Sequence, residues 1–280
     1  MIVDVHLHLS DSVIFPVHDA AYLVSLLDKA GIDVGVVLPV ESPEIGAEAQ
    51  LTREAMAACR EFPKRLVSFC CVDARCWASF DHPREYTIGH IRKLIERYVE
   101  MGCIGFGEHK LGLAFDDPRS VDIYRMCGEF SLPVLFHTDP IRNYDMAAVE
   151  RVVAEMPGTV FIGHSKGVWD DLDRLERMVL AYPNFYADTS PTVGTGGNAL
   201  RRDPGRSREF LESCSQKIMF GTDGGTPGAA PEICDPKTYV DFFQGLKLSP
   251  ATYNAVMGGN ACRLLRLKEK LAEKREEPEG

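Results

Sequence analysis

The chain alternates between short apolar runs and longer amphipathic stretches. Eight of the apolar runs predict β-strands, and a stretch with helical periodicity follows each one. Their nearly continuous apolar character is typical of parallel strands that are covered on both faces. The predicted strands are Ile2–His8, Val34–Val40, Leu66–Val72, Cys103–Glu108, Pro133–His137, Thr159–His164, Phe185–Thr189 and Lys217–Asp223.

Capping residues delimit the helices between these strands. The helix Asp19–Ala30 is expected to end at Gly31, because glycine readily adopts the left-handed conformation of a helix C-terminus. Asp117 before Pro118 predicts a helix that runs to Phe130, with a capping side chain and a first-turn proline. The same signals predict helices at Tyr86–Met101 and Asp170–Tyr182, and a helix start at Ser249 and Pro250.

Eight strand–helix units predict a (β/α)8 TIM barrel in a single α/β domain. We expect this domain to span residues 1–265 and the charged stretch 266–280 to form a C-terminal helical tail. A doubly wound open sheet is the alternative. It usually carries a glycine-rich turn after the first strand, where this chain has His6, Leu7 and His8. The barrel is therefore the favoured architecture.

Composition narrows the class of protein. The formal net charge of −10 argues against a nucleic-acid backbone as partner, because phosphate binding requires an excess of Lys and Arg. No stretch predicts a membrane span, and the opening MIVDVH does not resemble a signal peptide. The nine cysteines include no CxxC pair and are expected to be reduced, so a cytoplasmic location is predicted. A homo-oligomer is compatible with such a compact barrel.

Metal-binding side chains lie at the ends of five predicted strands. Buried imidazoles and carboxylates are costly to desolvate unless a partner compensates them, and a divalent cation does so well. Residues two apart in a strand point the same way, so Asp4, His6 and His8 are expected to share the inner face of the barrel. The strand ends where barrel enzymes place their active sites carry six candidate ligands: His6, His8, Glu108, His137, His164 and Asp223.

Two of these positions, and a lysine close to one of them, have further or alternative roles. Asp223 is expected to bind metal and to accept a proton from metal-bound water. The alternative is that Asp223 is a helix N-cap or turn residue without a role at the metal. Glu108 is favoured as a ligand that bridges two ions. Lys110 lies two residues after Glu108 and is expected to point the same way. Lys110 would bridge two ions only if its amine were carboxylated. An unmodified Lys110 would hold an anionic substrate or pair with Glu108. Other histidines, such as His109, are predicted to be non-ligands.

The pattern resembles the amidohydrolase superfamily, in particular the amidohydrolase-related group and its TatD-like relatives. The resemblance rests on the His6-Leu7-His8 pair, the ligands of strands four, five, six and eight, the Gly221–Asp223 turn and the closing stretch Asn260–Leu265. It implies a distorted barrel that holds one or two divalent ions, usually zinc, although Mn²⁺ or another metal would suit. The chain departs from the family's decarboxylases after His164, where Ser165, Lys166 and Gly167 replace a glycine-rich turn.

The leading expectation is a metal-dependent hydrolase. In this interpretation a metal-activated hydroxide attacks an amide, lactone, ester or phosphoester of a small, anionic substrate. His6, His8 and Asp223 would hold one ion, His137 and His164 a second, with Glu108 between them. The alternative is a mononuclear zinc decarboxylase of an aromatic or enol acid, in which His164 is a catalytic residue that polarises the substrate or moves protons. A non-catalytic binding protein is a third interpretation, which the complete ligand set disfavours.

Substrate contacts are predicted from their adjacency to strand ends. The candidates are Lys110, Asp139, Arg142, Lys166 and Thr192, among which Arg142 and Lys166 suggest an anionic small molecule. A Gly/Thr-rich segment, Thr192–Asn198, follows the seventh strand and leads into the basic stretch Arg201–Arg208. It lies where barrel enzymes place loops that close over substrate.

Overall fold

The structure is a computed structural model of the chain. It describes residues 1–10, 17–42, 51–75, 84–110, 112–138, 145–193, 199–226 and 234–276. Two parallel sheets contain the eight strands found in these residues, in the orders β1-β2-β3 and β4-β5-β6-β7-β8. The strands are β1 Val3–Leu7, β2 Val34–Val37, β3 Leu66–Ser68, β4 Phe106–His109, β5 Val134–His137, β6 Phe161–His164, β7 Phe185–Asp188 and β8 Ile218–Met219.

Helices follow the strands along the chain, as the amphipathic stretches predict. Each strand overlaps the apolar run that predicted it and is shorter than that run. The helices are α1 Ala20–Ala30, α2 Thr52–Glu61, α3 Arg84–Glu100, α4 Pro118–Glu129, α5 Met146–Glu155, α6 Lys166–Trp169, α7 Leu172–Ala181, α8 Ala199–Arg202, α9 Pro204–Cys214, α10 Pro236–Gly245, α11 Pro250–Asn254, a π-helical turn Ala255–Gly259, α12 Asn260–Leu264 and α13 Leu267–Glu276.

Backbone hydrogen bonds join the two sheets at both seams. At the first seam, the amide of Val5 donates to the carbonyl of Phe220 (3.0 Å), and the amide of His8 donates to that of Gly224 (2.8 Å). At the second, Cys70 donates to the carbonyl of Gly105 at 2.9 Å. The predicted (β/α)8 TIM barrel is therefore confirmed, and it forms one domain.

Two apolar clusters account for the packing of this barrel. The larger cluster joins the outer faces of the strands to the helices, as Leu7 of β1 and Leu27 of α1 illustrate. The smaller one fills the barrel interior and draws alternate residues from successive strands, among them Val3, Val5, Val34, Val36, Val67, Leu135, Ile162 and Met219. Leu265 and the fully buried Leu267 join it from the chain's C-terminal part. The candidate metal ligands lie at the opposite end of the barrel, where the strands have their carboxyl ends.

The local signals fixed most helix ends. Asp19 and Asp117 cap α1 and α4 through their side chains, and Gly31 adopts the left-handed conformation at φ 72°. The helix predicted at Asp170–Tyr182 is α7, which begins after Asp171, because the Asp171 side chain accepts from the amide of Arg174. A short helix that was not predicted, α6, precedes it. The eight described cysteines are free, and all except Cys262 are buried. No helix within the described ranges combines the length and apolar character needed to cross a membrane.

Candidate metal centre

A first triad of donor atoms forms where β1 meets the segment after β8. The Nε2 atoms of His6 and His8 lie 3.0 Å apart. Asp223 Oδ1 lies 3.1 Å from His8 Nε2 and 3.6 Å from His6 Nε2. Both imidazoles are almost completely buried, whereas the Asp223 side chain is 15% exposed. Asp223 is therefore the member of this triad that is most accessible to an incoming molecule.

A second triad forms at the ends of β4, β5 and β6. Glu108 Oε1 lies 2.9 Å from both His137 Nδ1 and His164 Nε2, and these two nitrogens lie 2.9 Å apart. The other carboxylate oxygen, Glu108 Oε2, lies 3.5 Å from His8 Nε2 of the first triad. Glu108 therefore spans the two triads, with one oxygen directed at each.

The hydrogen bonds of the ring Nδ1 atoms determine which histidine nitrogens can bind a metal. His8 Nδ1 lies 3.0 Å from the carbonyl oxygen of Leu38, which can only accept, so this nitrogen carries the proton. His164 Nδ1 likewise donates to the carbonyl of Ser190 at 3.0 Å. His6 Nδ1 donates to the carboxylate of Asp188 at 3.0 Å. All three Nε2 atoms then present lone pairs to the centre, which is the state a metal ligand requires.

The spacing of these donors fits a divalent ion. Ligands about 2.0–2.1 Å from zinc lie about 3.4 Å apart in a tetrahedron and about 2.9 Å apart at right angles. The first triad, at 3.0, 3.1 and 3.6 Å, brackets the tetrahedral value. The second triad, at 2.9 Å throughout, matches the right-angled value. His6 also groups with Glu108 and His164, since donor atoms of these three lie within 4.8 Å of one another.

Electrostatics favour a cation at the centre. Burial on its own raises the pKa of Glu108, but Lys110 and the two histidines of its triad outweigh burial and hold the pKa well below its usual range. Asp223 behaves similarly, because His8 and His6 bring its pKa down against the effect of burial. Burial lowers the pKa of His137 to about 4, so this ring is neutral near pH 7. Ionised carboxylates beside neutral imidazole are the donors that a divalent ion selects.

The predicted substrate contacts fall into three groups. Lys110 lies closest to the metal donors, with its Nζ 3.8 Å from Glu108 Oε1 and its side chain 21% exposed. Lys166 is 63% exposed and lies 4.0 Å from Asp170, while the buried Thr192 donates its hydroxyl to the carbonyl of Thr189. Their roles toward a substrate stay predictions. The other two candidates, Asp139 and Arg142, lie outside the described residues, as does part of the Thr192–Asn198 segment.

The strand alternation predicted for β1 is interrupted. The pairing register with β2 shifts between Asp4 and Leu7. Asp4 accepts from the amide of His6 and from both the amide and the hydroxyl of Thr222. Asp4 therefore stabilises the turn before Asp223 through hydrogen bonds and is not one of the metal donors. Burial raises the pKa of Asp4 to about 7.

Two site residues escaped the sequence analysis. Asp188 ends β7 and bonds to His6, and Ser190, two residues later, bonds to His164. The signal was present, since Asp188 lies one residue before the end of the apolar run Phe185–Thr189, much as Glu108 lies at the end of an earlier one. By contrast His109, predicted as a non-ligand, is buried beside Phe106 and Tyr124, and neither ring nitrogen has a hydrogen-bond partner in the described part of the chain.

A closed α/β barrel with histidines and carboxylates at the carboxyl ends of its strands defines a barrel enzyme of the metal-dependent type. A family model described as amidohydrolase matches residues 3–267. The chain therefore belongs to the amidohydrolase family and is an enzyme of the metal-dependent amidohydrolase type. No curated protein sequence matches the chain.

Solved structures share the fold at low sequence identity. An uncharacterised TIM-barrel protein from Bordetella bronchiseptica is 17% identical, with a TM-score of 0.70 over 97% of this chain and 99% of that one. An amidohydrolase from Burkholderia multivorans, with bound zinc, is 14% identical (TM-score 0.63; 95% and 99% covered). The 5-carboxyvanillate decarboxylase of Sphingomonas paucimobilis is 15% identical (TM-score 0.62; 95% and 98% covered). At these identities the likeness concerns the fold.

Proposed function

We propose that the protein is a metal-dependent hydrolase that acts on a carbonyl or phosphoryl group of a small anionic substrate. One observation carries this proposal: the two oxygens of Glu108 are directed at different triads, 2.9 Å from His164 and 3.5 Å from His8. His6, His8 and Asp223 would hold one divalent ion and His137 and His164 a second, with Glu108 between them. The zinc in the Burkholderia amidohydrolase supports zinc as the metal.

The bound ions would supply Lewis acidity, which polarises the substrate and lowers the pKa of water from 15.7 toward ~7. The chain's own residues prepare the site for that chemistry. The nearly complete burial of His6, His8 and Glu108 excludes bulk water, which strengthens electrostatic interactions there. Asp223, the most accessible member of its triad, is assigned to accept a proton at its carboxylate and to return it to the leaving group.

Lys110 gives the proposed preference for an anionic substrate its physical basis. Its ammonium group lies near the metal donors and is partly exposed, so a substrate carboxylate or phosphate could pair with it. Lys166 lies farther out and is much more exposed, so any pairing there would be more strongly screened by solvent. We therefore assign the primary anion contact to Lys110.

A decarboxylase is the second candidate, and the position of His6 favours it. Because His6 groups with Glu108 and His164 as well as with His8 and Asp223, a single ion could draw its ligands from both triads. If that ion were held by His6, His8, His137 and Asp223, His164 would be left to polarise an aromatic or enol acid or to move protons. The Sphingomonas decarboxylase supports this reading through its shared fold.

A metal count combined with a substrate screen separates the candidates. The metal-loaded protein is tested on lactones, amides, esters, phosphoesters and aromatic carboxylic acids, with CO2 release measured alongside hydrolysis. The hydrolase proposal predicts near two equivalents of metal and a hydrolysed product. Asp223→Asn should abolish turnover while most metal is retained, and Asp171→Asn, in the cap of α7, should leave both unchanged. One equivalent with CO2 release would instead establish the decarboxylase.

A further inference from the structure

Two residues at the carboxyl end of β7 each hold a histidine of one triad. Asp188 Oδ2 lies 3.0 Å from His6 Nδ1 in the first triad. Ser190 accepts from His164 Nδ1 in the second triad, through its carbonyl at 3.0 Å and its hydroxyl oxygen at 3.1 Å. The two residues also bond to each other, since Asp188 Oδ1 accepts from the amide (2.8 Å) and hydroxyl (2.6 Å) of Ser190.

The surrounding structure fixes this pair in place. Asp188 and Ser190 are both fully buried. The indole Nε1 of Trp169 donates to the backbone carbonyl of Asp188 at 2.8 Å. Gly221 leaves the necessary space, because a Cβ there would lie 3.1 Å from both Asp188 Oδ1 and His6 Cβ. The Asp188 carboxylate therefore has one orientation, with one oxygen for His6 and the other for Ser190.

We propose that Asp188 is a positioning residue that sets the tautomer of His6 and thereby makes the first triad able to bind metal. Its two oxygens both accept: one keeps the proton on His6 Nδ1, and the other receives two donors from Ser190. With its proton held at Nδ1, His6 presents a lone pair at Nε2 toward His8 and Asp223. This inference rests on the metal assignment of the proposed function and adds the residue that prepares the ligand.

Asparagine at position 188 has one accepting oxygen and one donating NH2 group. If the oxygen faces Ser190, both hydrogen bonds from that residue survive, and only the one to His6 is lost. That orientation keeps more bonds than the reverse, so the NH2 group faces His6 Nδ1. The ring must then accept at Nδ1 and carry its proton on Nε2, where a metal ligand needs a lone pair.

The test compares metal-free wild type with Asp188→Asn at alkaline pH. Two-bond proton–nitrogen NMR spectra report the tautomer of each histidine, assigned with a His6→Gln variant. We expect the His6 proton on Nδ1 in the wild type and on Nε2 in the variant. Zinc titration should show one site weakened by 10- to 100-fold and the other retained. Retention of the Nδ1 proton in the variant, together with unchanged zinc affinity, would overturn the proposal.

Two further variants separate positioning from a general structural role. Ser190→Ala keeps the backbone amide and carbonyl that hold Asp188 and His164, so its effect on zinc affinity should be smaller than that of Asp188→Asn. Asp171→Asn is the matched control, because asparagine caps a helix as well as aspartate does. Wild type that binds no zinc would refute the proposed function, whereas the tautomer comparison in metal-free protein would still decide the role of Asp188. Equal zinc affinity in all three variants would contradict the inference.

Discussion

Gly225 offers the sharpest test of how the turn after β8 supports the centre. Its backbone has φ 82°, and a Cβ at this position would lie 2.0 Å from the carbonyl oxygen of His8. Gly225→Ala therefore combines two costs. The left-handed conformation costs about 1–2 kcal/mol for a residue with a side chain. The overlap with backbone that cannot rotate away costs about 1–3 kcal/mol more, by analogy with overpacked cores.

Two other glycines separate these costs. Gly31 also has a positive φ, of 72°, but a Cβ there would meet nothing within 4 Å, so Gly31→Ala carries the conformational cost alone. Gly245 lies at the end of α10, and a Cβ there would also meet nothing within 4 Å. Gly245→Ala should be neutral or stabilise slightly, because alanine favours the helix.

The assay is thermal unfolding of the three variants and wild type, at fixed protein and zinc concentrations. A loss of 1 kcal/mol lowers Tm by about 2–4 °C in domains of 150–250 residues. The summed cost of about 2–5 kcal/mol for Gly225→Ala then predicts a drop in Tm of about 4–20 °C. The Tm of Gly31→Ala should fall by roughly half as much as that of Gly225→Ala. Equal drops for Gly225→Ala and Gly31→Ala would refute the argument that the turn presses against His8.

Three smaller predictions concern the rest of the barrel. Leu267→Ala should lower the free energy of unfolding, measured in urea, by about 2–5 kcal/mol, because Leu267 is fully buried. Leu180→Ala should lower it little, because Leu180 is 63% exposed. Hydrogen bonds from Ser249 and Thr252 hold the pKa of Glu212 below its ordinary value of 4.5. The ionised Glu212 therefore stabilises the folded protein above pH 4.5, and this contribution is lost as the pH falls through the lowered pKa. Stability of wild type should therefore fall more steeply below pH 4.5 than that of Glu212→Gln. Chelation should lower Tm and zinc should restore it.

Much of the barrel could be predicted because local and global signals agree. Capping residues such as Asp117 and the apolar runs both act over a few neighbouring positions, and each produced the helix or strand expected. The same logic brought His6, His8, Glu108, His137, His164 and Asp223 together, since all parallel strands of a barrel end on the same side. The assignment of these donors to particular ions stays a prediction.

What the sequence did not predict depends on contacts between distant strands. The register shift after Asp4 directs that carboxylate to Thr222, and simple alternation cannot anticipate it. Asp188 was missed because its partner, His6, lies 182 residues away in sequence. The extent of the C-terminal tail stays a prediction, although Leu267 of that stretch packs inside the barrel.

Metal stoichiometry in the purified protein decides whether the centre holds two ions. Zinc is loaded, excess is removed, and bound metal is counted by mass spectrometry for wild type, His8→Ala and His137→Ala. We expect near two equivalents of zinc in wild type and near one in each variant, because each substitution removes a ligand from a different triad. Wild type that retains no zinc, or variants that retain as much as wild type, would contradict this expectation.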